Sequence, residues 1–224
     1  PELIDIDGDG DLDLFVANQY DLTSTPWVGK IHFFRNTGTS SSPNYIEEST
    51  SLLSENMGQM LTPEFGDLDG DGDMDLLVGD FNGFIQYFEN TSSGSSLTFT
   101  FIENVGSIDL SGNSVPTLGD LDADGDLDLL IGQLNGSLIF YRNVGSTSAY
   151  NFQEESFDDI EVESNSAPEL VDRDNDGDLD LILGSGEEKL YFYWNESNSN
   201  FHFQQSLNLN VPIIGVNIKP ALGH

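Results

Sequence analysis

The stretch PELIDIDGDGDLDLFVA, residues 1–17, places five aspartates within nine positions: Asp5, Asp7, Asp9, Asp11 and Asp13. Like charges this close repel one another, so a folded chain needs a compensating cation among them. The arrangement recurs as PEFGDLDGDGDMDLLVG from residue 63, PTLGDLDADGDLDLLIG from residue 116 and PELVDRDNDGDLDLILG from residue 168. A fifth copy begins as PALGH at residue 220.

The first prolines of successive copies are 62, 53, 52 and 52 residues apart. A period of this size is typical of proteins in which every repeat forms one supersecondary unit. In the third copy, runs of β-forming residues at 116–120, 127–132, 137–143 and 150–156 predict four strands. The pair Asn135-Gly136 is a hairpin signal between the second and third of them. Four-stranded antiparallel units at this spacing predict an all-β fold, a β-propeller, with one blade per repeat.

We therefore expect a single β-propeller segment over residues 1–224, with blades at approximately 1–62, 63–115, 116–167 and 168–219. Residues 220–224 would start the next blade. Because the chain begins and stops on an inner strand, we expect it to be part of a longer protein, with no natural N-terminus from which to judge a signal peptide. The faces of its end blades should then be exposed and lined by residues such as Phe15, Phe33, Leu181 and Tyr191.

Two further features recur at one register in all four copies. Aromatic pairs at residues 33–34, 87–88, 140–141 and 192–193 are expected to pack between blades. An asparagine follows each pair by two residues and is expected to form the turn that ends the strand. These asparagines are Asn36, Asn90, Asn143 and Asn195.

The composition limits the classes of partner. The formal net charge is −34, from 40 acidic and 6 basic residues, and the four clusters hold half of the acid. Such local, repeated charge favours bound cations, and the lack of a basic patch argues against nucleic acid or an anionic membrane surface as a partner. There is no cysteine for a disulfide or a thiolate metal site, and no apolar run long enough to span a membrane.

Each cluster follows the pattern D-x-D-x-D-G-x-x-D, whose nine positions we number as places 1 to 9. Carboxylates at alternating places of a tight loop can converge on one point, and the glycine at place 6 permits the sharp turn. Several charged oxygen ligands suit calcium better than magnesium. An EF-hand loop begins in the same way but needs glutamate at place 12, where this chain has Val16, Val78, Ile131 and Leu183.

These loops resemble the calcium-binding FG-GAP/VCBS repeats of integrin-α-type β-propellers, most closely those of secreted bacterial surface proteins, over essentially all 224 residues. The resemblance implies one calcium ion per repeat, held between the first and second strands of a blade. The implied side-chain ligands are Asp5, Asp7, Asp9 and Asp13; Asp67, Asp69, Asp71 and Asp75; Asp120, Asp122, Asp124 and Asp128; and Asp172, Asp174, Asp176 and Asp180. The implied backbone ligands are Asp11, Asp73, Asp126 and Asp178.

The first repeat differs from the others by an insertion between its second and third strands, in NQYDLTSTPWVGK at residues 18–30. In an up-and-down blade this connection lies on the face opposite the metal loops. It carries Tyr20 and Trp27, residue types that are frequent in sugar and protein contacts. The alternative is that Trp27 packs on its own blade.

We expect a non-enzymatic, calcium-stabilised module of a secreted or cell-surface protein that binds a protein or glycan ligand, or joins a larger surface or secretion assembly. The three histidines fall at unrelated repeat positions, and the chain has no nucleophile elbow, HExxH motif or thiol. Two alternatives stay open at this point. The chain could be a spacer or secreted passenger without a ligand, or the non-catalytic propeller of a polysaccharide-degrading enzyme.

Overall fold

The computed structural model of the chain describes residues 1–22, 26–53, 57–93, 96–105, 112–157, 160–187, 189–196 and 202–206. The residues from 220 onward, which we expect to start another blade, lie outside this set. The described residues form sixteen strands: β1 Glu2–Ile4, β2 Asp13–Ala17, β3 Ile31–Asn36, β4 Tyr45–Ser49, β5 Thr62–Gly66, β6 Asp75–Gly79, β7 Ile85–Asn90, β8 Phe99–Asn104, β9 Val115–Gly119, β10 Asp128–Gly132, β11 Leu138–Asn143, β12 Phe152–Glu155, β13 Ala167–Val171, β14 Asp180–Gly184, β15 Leu190–Asn195 and β16 Phe203–Gln205.

The strands form four antiparallel sheets, each of four strands in chain order: β1–β4, β5–β8, β9–β12 and β13–β16. The prediction of an all-β protein with four-stranded blades is confirmed, and no helix occurs in the described part of the chain. Consistent with this, those residues include no helix that is long and apolar enough to cross a membrane.

The blades follow one another as in a β-propeller. The first strand of each blade lies innermost, and β5 contacts β9, β9 contacts β13, and β1 contacts β5. Among the described strands, no comparable contact joins the fourth sheet to the first. Strands β6 and β10, in the two central blades, are buried along their whole length. Their DLLVG and DLLIG sequences fit this position, because a strand covered on both faces needs apolar side chains on both.

The expected lining of the end faces was wrong. Phe15, Phe33 and Leu181 are at most 1% exposed, and Tyr191 is half-buried against the same core as Leu181. The Phe15 ring lies 4.8 Å from that of Phe33 and 4.6 Å from that of Phe65 in the second blade. These side chains point toward the neighbouring blade, because successive residues of a strand face opposite sides of its sheet.

The same alternation explains the aromatic pairs. Tyr87 packs in the core shared with the third blade, whereas the adjacent Phe88 packs in the core shared with the first. Phe140 likewise faces the fourth blade and Tyr141 the second. A pair in a central blade therefore supplies one ring to each of its two interfaces, which confirms packing between blades.

Buried serines join the second blade to the third and the third to the fourth, at the end opposite the acidic loops between first and second strands. The hydroxyl of Ser114, which precedes β9, donates to the carbonyl of Phe84 at 2.7 Å and accepts the N–H of Asp80 at 2.9 Å. Ser166, which precedes β13, makes the corresponding bonds to Ser137 and Gln133, both at 2.7 Å. Both serines are fully buried. Each hydroxyl therefore satisfies backbone groups of the preceding blade that would otherwise be buried unpaired.

We expect Phe15→Ala to lower the free energy of unfolding by about 3–5 kcal/mol, because it leaves a cavity between the first two blades. Ile46→Ala is the matched control, since Ile46 is 50% exposed on the outermost strand and such a change costs within about 0.5 kcal/mol. Guanidinium denaturation followed by circular dichroism measures both. Equal stability of the two variants would contradict this account of the interface.

Candidate metal centres

Each acidic loop connects the first and second strands of a blade, as predicted. We call residues 5–13, 67–75, 120–128 and 172–180 metal loops 1 to 4. In every loop the place-6 glycine donates its N–H to the place-1 carboxylate, at 2.9 to 3.1 Å, and has a positive φ of 90° to 97°. The place-7 N–H donates to the place-5 carboxylate, at 2.9 to 3.2 Å. The backbone of each loop is thus held by hydrogen bonds to the carboxylates of its own aspartates.

A second left-handed residue, at place 4, escaped the sequence analysis. Its occupants are Gly8, Gly70, Ala123 and Asn175, with φ of 73°, 75°, 59° and 62°. Three of these four are glycine or asparagine, the residue types that adopt this conformation most readily, and that preference was the available signal. Ala123 is the exception and holds the conformation at a cost.

The loops bring the predicted ligands together. Carboxylate oxygens at places 1, 3 and 5 lie within 4.8 Å of one another in loops 1, 2 and 4, and those at places 1, 3 and 9 do so in loop 3. The members of these four sets are Asp5, Asp7 and Asp9; Asp67, Asp69 and Asp71; Asp120, Asp122 and Asp128; and Asp172, Asp174 and Asp176. Three carboxylates around one point are a donor set for a hard cation.

The place-9 aspartates have a structural role that the sequence did not reveal. Each is the first residue of the second strand, at most 3% exposed, and accepts the N–H of the asparagine that ends the third strand. The N···O distances are 2.6, 2.8, 2.8 and 2.9 Å for Asp13–Asn36, Asp75–Asn90, Asp128–Asn143 and Asp180–Asn195. In loops 2 to 4 the second carboxylate oxygen accepts the N–H of the place-2 residue.

The asparagines also fulfil their predicted role as turn formers. The side-chain oxygen of Asn36 accepts the N–H groups of Gly38 and Asn44, and that of Asn143 accepts those of Gly145 and Asn151. Each amide therefore closes the connection to the outermost strand. The Asp–Asn pair links the metal loop, the central strands and the outer turn of one blade.

Burial raises the pKa of the place-9 carboxyls. The pKa of Asp13 and that of Asp128 are both raised to about 6, although the backbone N–H bonds partly offset the effect. The pKa values of Asp75 and Asp180 are raised for the same reason. A buried carboxylate that loses water in this way gains from a nearby cation, which favours its charged form.

Unsatisfied oxygens support a cation at these loops. Among the described residues, the buried carboxylate oxygens without a hydrogen-bond partner include Oδ2 of Asp13, Oδ1 of Asp122, Oδ1 of Asp126 and Oδ1 of Asp172. Asp13 and Asp126 are more than nine-tenths buried. Because a buried, unpaired carboxylate oxygen is costly, its presence in loops 1, 3 and 4 fits ligation of a metal ion.

Tyr20 and Trp27 lie on the connection between β2 and β3, away from the metal loops. Their rings stack with centroids 5.6 Å apart and 20° between planes. Tyr20 is 42% and Trp27 54% exposed, so Trp27 packs on its partner ring and also remains open to solvent. Residues 23–25 of this insertion lie outside the described set.

Ala123→Gly should stabilise the protein by about 0.5–1 kcal/mol, because glycine adopts the left-handed place-4 conformation without strain. The reciprocal change Gly8→Ala should destabilise it by a similar amount through backbone strain, since an added Cβ would meet no atom within 4 Å. Thermal unfolding at saturating calcium measures both. A melting temperature of Ala123→Gly at or below that of the wild type would contradict the prediction.

Comparison with known proteins finds a matching repeat family. A family model described as FG-GAP-like repeat matches residues 5–78, 67–131 and 172–221, well over half of the chain. The matched ranges contain all four metal loops. The unmatched residues 132–171 contain none of them. None of the curated proteins compared with the chain matches it.

Proposed function

The chain belongs to the FG-GAP-like repeat family, and we propose that it is a calcium-stabilised extracellular β-propeller that serves as a binding or adhesion module of a secreted or cell-surface protein. The observation that carries the proposal is the convergence of three carboxylates in each of four loops. The unpaired buried oxygens of loops 1, 3 and 4 support it. So does the composition, in which 40 acidic residues have only 6 basic residues available for ion pairs.

In this proposal every loop holds one calcium ion. The carboxylates at places 1, 3, 5 and 9 would supply side-chain oxygens, and the place-7 residue its backbone carbonyl. Calcium suits the loops better than magnesium because it accepts more oxygen ligands in a less regular geometry. Bound calcium would neutralise the loop carboxylates, including the place-9 carboxylates that join the loop to Asn36, Asn90, Asn143 and Asn195.

We place the ligand surface at the opposite end of the blades. Besides the stacked Tyr20 and Trp27, the connections between second and third strands expose Phe81 at 45%, Phe84 at 52% and Leu134 at 38%. Backbone bonds hold neighbouring connections together: Asn113 donates to Phe81 and, in the next blade, Asn165 donates to Leu134. Exposed aromatic rings on a braced surface suit a protein or glycan ligand.

The proposal includes no catalysis, since repeats of this family are typically non-catalytic. Among the described residues, every group of three converging carboxylates lies in a metal loop. The exposed aromatic connections favour a module with a ligand over a spacer without one, because a spacer gains nothing from apolar rings in contact with water.

Removing calcium with a chelator at low salt should lower the melting temperature. At millimolar calcium and a Kd of about 10⁻⁴–10⁻³ M, each site contributes about 0.4–1.4 kcal/mol.

Asp120→Asn should remove one of four ions in a calorimetric titration, since repeat units couple mainly to their neighbours. Asp21→Asn, outside the loops, is the control. An unchanged melting temperature, or loss of all four ions in Asp120→Asn, would refute the proposed role of calcium.

Trp27→Ala should abolish or strongly weaken ligand binding while leaving the melting temperature unchanged, because Trp27 is exposed and contributes little to the core. A glycan array and a cell-binding assay with the calcium-loaded protein provide the readout. Ile46→Ala, equally exposed but on the outermost strand, should bind as the wild type does. Unchanged binding by Trp27→Ala would argue against this surface.

A further inference from the structure

Two of the four metal loops carry a built-in cation. Arg35 on β3 and Arg142 on β11 occupy the same register, one residue before the asparagine that ends the strand. The Nη1 of each guanidinium donates to the place-3 carboxylate of its own loop, Asp7 in loop 1 and Asp122 in loop 3. The place-3 aspartates belong to the sets of converging carboxylates. The arginine and a metal ion would therefore act on the same carboxylate.

Each arginine is held from two further sides. The Nε of Arg35 donates to Glu48 on the outermost strand at 2.9 Å, and that of Arg142 to Glu155 at 3.0 Å. The guanidinium of Arg35 lies over the ring of Phe33, with 5.2 Å to the centroid, and that of Arg142 lies over Phe140 at 5.8 Å. The arginines are thus fixed beside the loops rather than free to swing into solvent.

Loops 2 and 4 are built differently at this register. The position of Arg35 and Arg142 is taken by Glu89 in the second blade and by Trp194 in the fourth. Arg173, at place 2 of loop 4, directs its guanidinium over Phe192 and Trp194, at 4.8 and 4.7 Å. Among the described residues, no arginine or lysine forms an ion pair with the place-3 carboxylate of either loop.

We infer that the four sites are unequal, and that Arg35 and Arg142 weaken calcium binding at loops 1 and 3 relative to loops 2 and 4. The inference rests on the proposed calcium binding. Arg35 and Arg142 bond a ligand carboxylate and compete with the ion for it. The guanidinium of Arg173 is instead held over Phe192 and Trp194, and Glu89 adds negative charge near loop 2. Calcium should therefore fill the protein in two steps, two ions at lower and two at higher concentration.

The arginines also give loops 1 and 3 a partial counter-charge in the absence of metal. In these blades the chain of contacts from place-3 aspartate through arginine to outer-strand glutamate ties the loop to the edge of the blade. At intermediate calcium, the first and third blades would be held by arginine and the second and fourth by metal. Arginine and metal would thus alternate along the chain as the main counter-charge of successive loops.

Isothermal titration of the wild-type protein with calcium chloride alone should show two classes of two ions each. Arg35→Gln and Arg142→Gln should each tighten one weak ion about tenfold, because each removes a positive charge bound to a ligand carboxylate of that ion. Arg142→Lys keeps the charge and should keep the weak class. Glu89→Arg should weaken one tight ion. Lys30→Gln, which removes a positive charge paired with Asp21 away from the loops, is the matched control.

Two place-1 variants assign the classes. Asp67→Asn in loop 2 should remove a tight ion and Asp120→Asn in loop 3 a weak one, with folding checked by circular dichroism. The inference is overturned by a single class of four ions, by loss from the same class in both variants, or by unchanged or looser binding in Arg142→Gln. Tightening by Lys30→Gln would overturn it equally. Absence of any calcium binding by the wild type would instead refute the proposed function itself.

Discussion

The buried carboxylate at place 9 is the interaction on which every blade depends. It begins the second strand, closes the metal loop, and accepts the N–H of the asparagine that ends the third strand. That asparagine then closes the turn to the fourth strand in the first and third blades through its side-chain oxygen. One carboxylate thus ties the innermost to the outermost part of the sheet. Because it is buried and charged, it needs compensation from donors or from a cation.

The blades differ in how this common frame is used. The central blades present apolar residues on both faces, and each covers two neighbours, whereas the second strand of the first blade is buried mainly on the side of Phe15. Charge is equally uneven, since Arg35 and Arg142 serve two loops while Glu89 and Trp194 occupy the same register elsewhere. A repeat therefore conserves its backbone hydrogen bonds while its individual copies diverge in electrostatics.

Sequence predicted the strands and the place-6 glycines because both depend on neighbouring residues. The apolar runs around Phe15 and Leu181 did not indicate which of their residues meet another blade, and the predicted exposure was wrong. The bonds from Asp13 to Asn36 and from Arg35 to Asp7 span 23 and 28 residues. They form only when the sheet is assembled, so no local sequence pattern predicts them. Asn36 was expected to form a turn, and its bond to Asp13 was not.

The serine hydroxyls at the other end of the blades give the assembly a mechanical asymmetry. Ser114 and Ser166 fasten successive blades by short, buried, uncharged bonds that calcium and salt cannot reach. The opposite ends carry the charged loops, whose cohesion varies with the ionic medium. A change in the ionic medium therefore acts first on the loop ends of the blades, whereas the serine ends and the apolar cores between the blades keep their contacts.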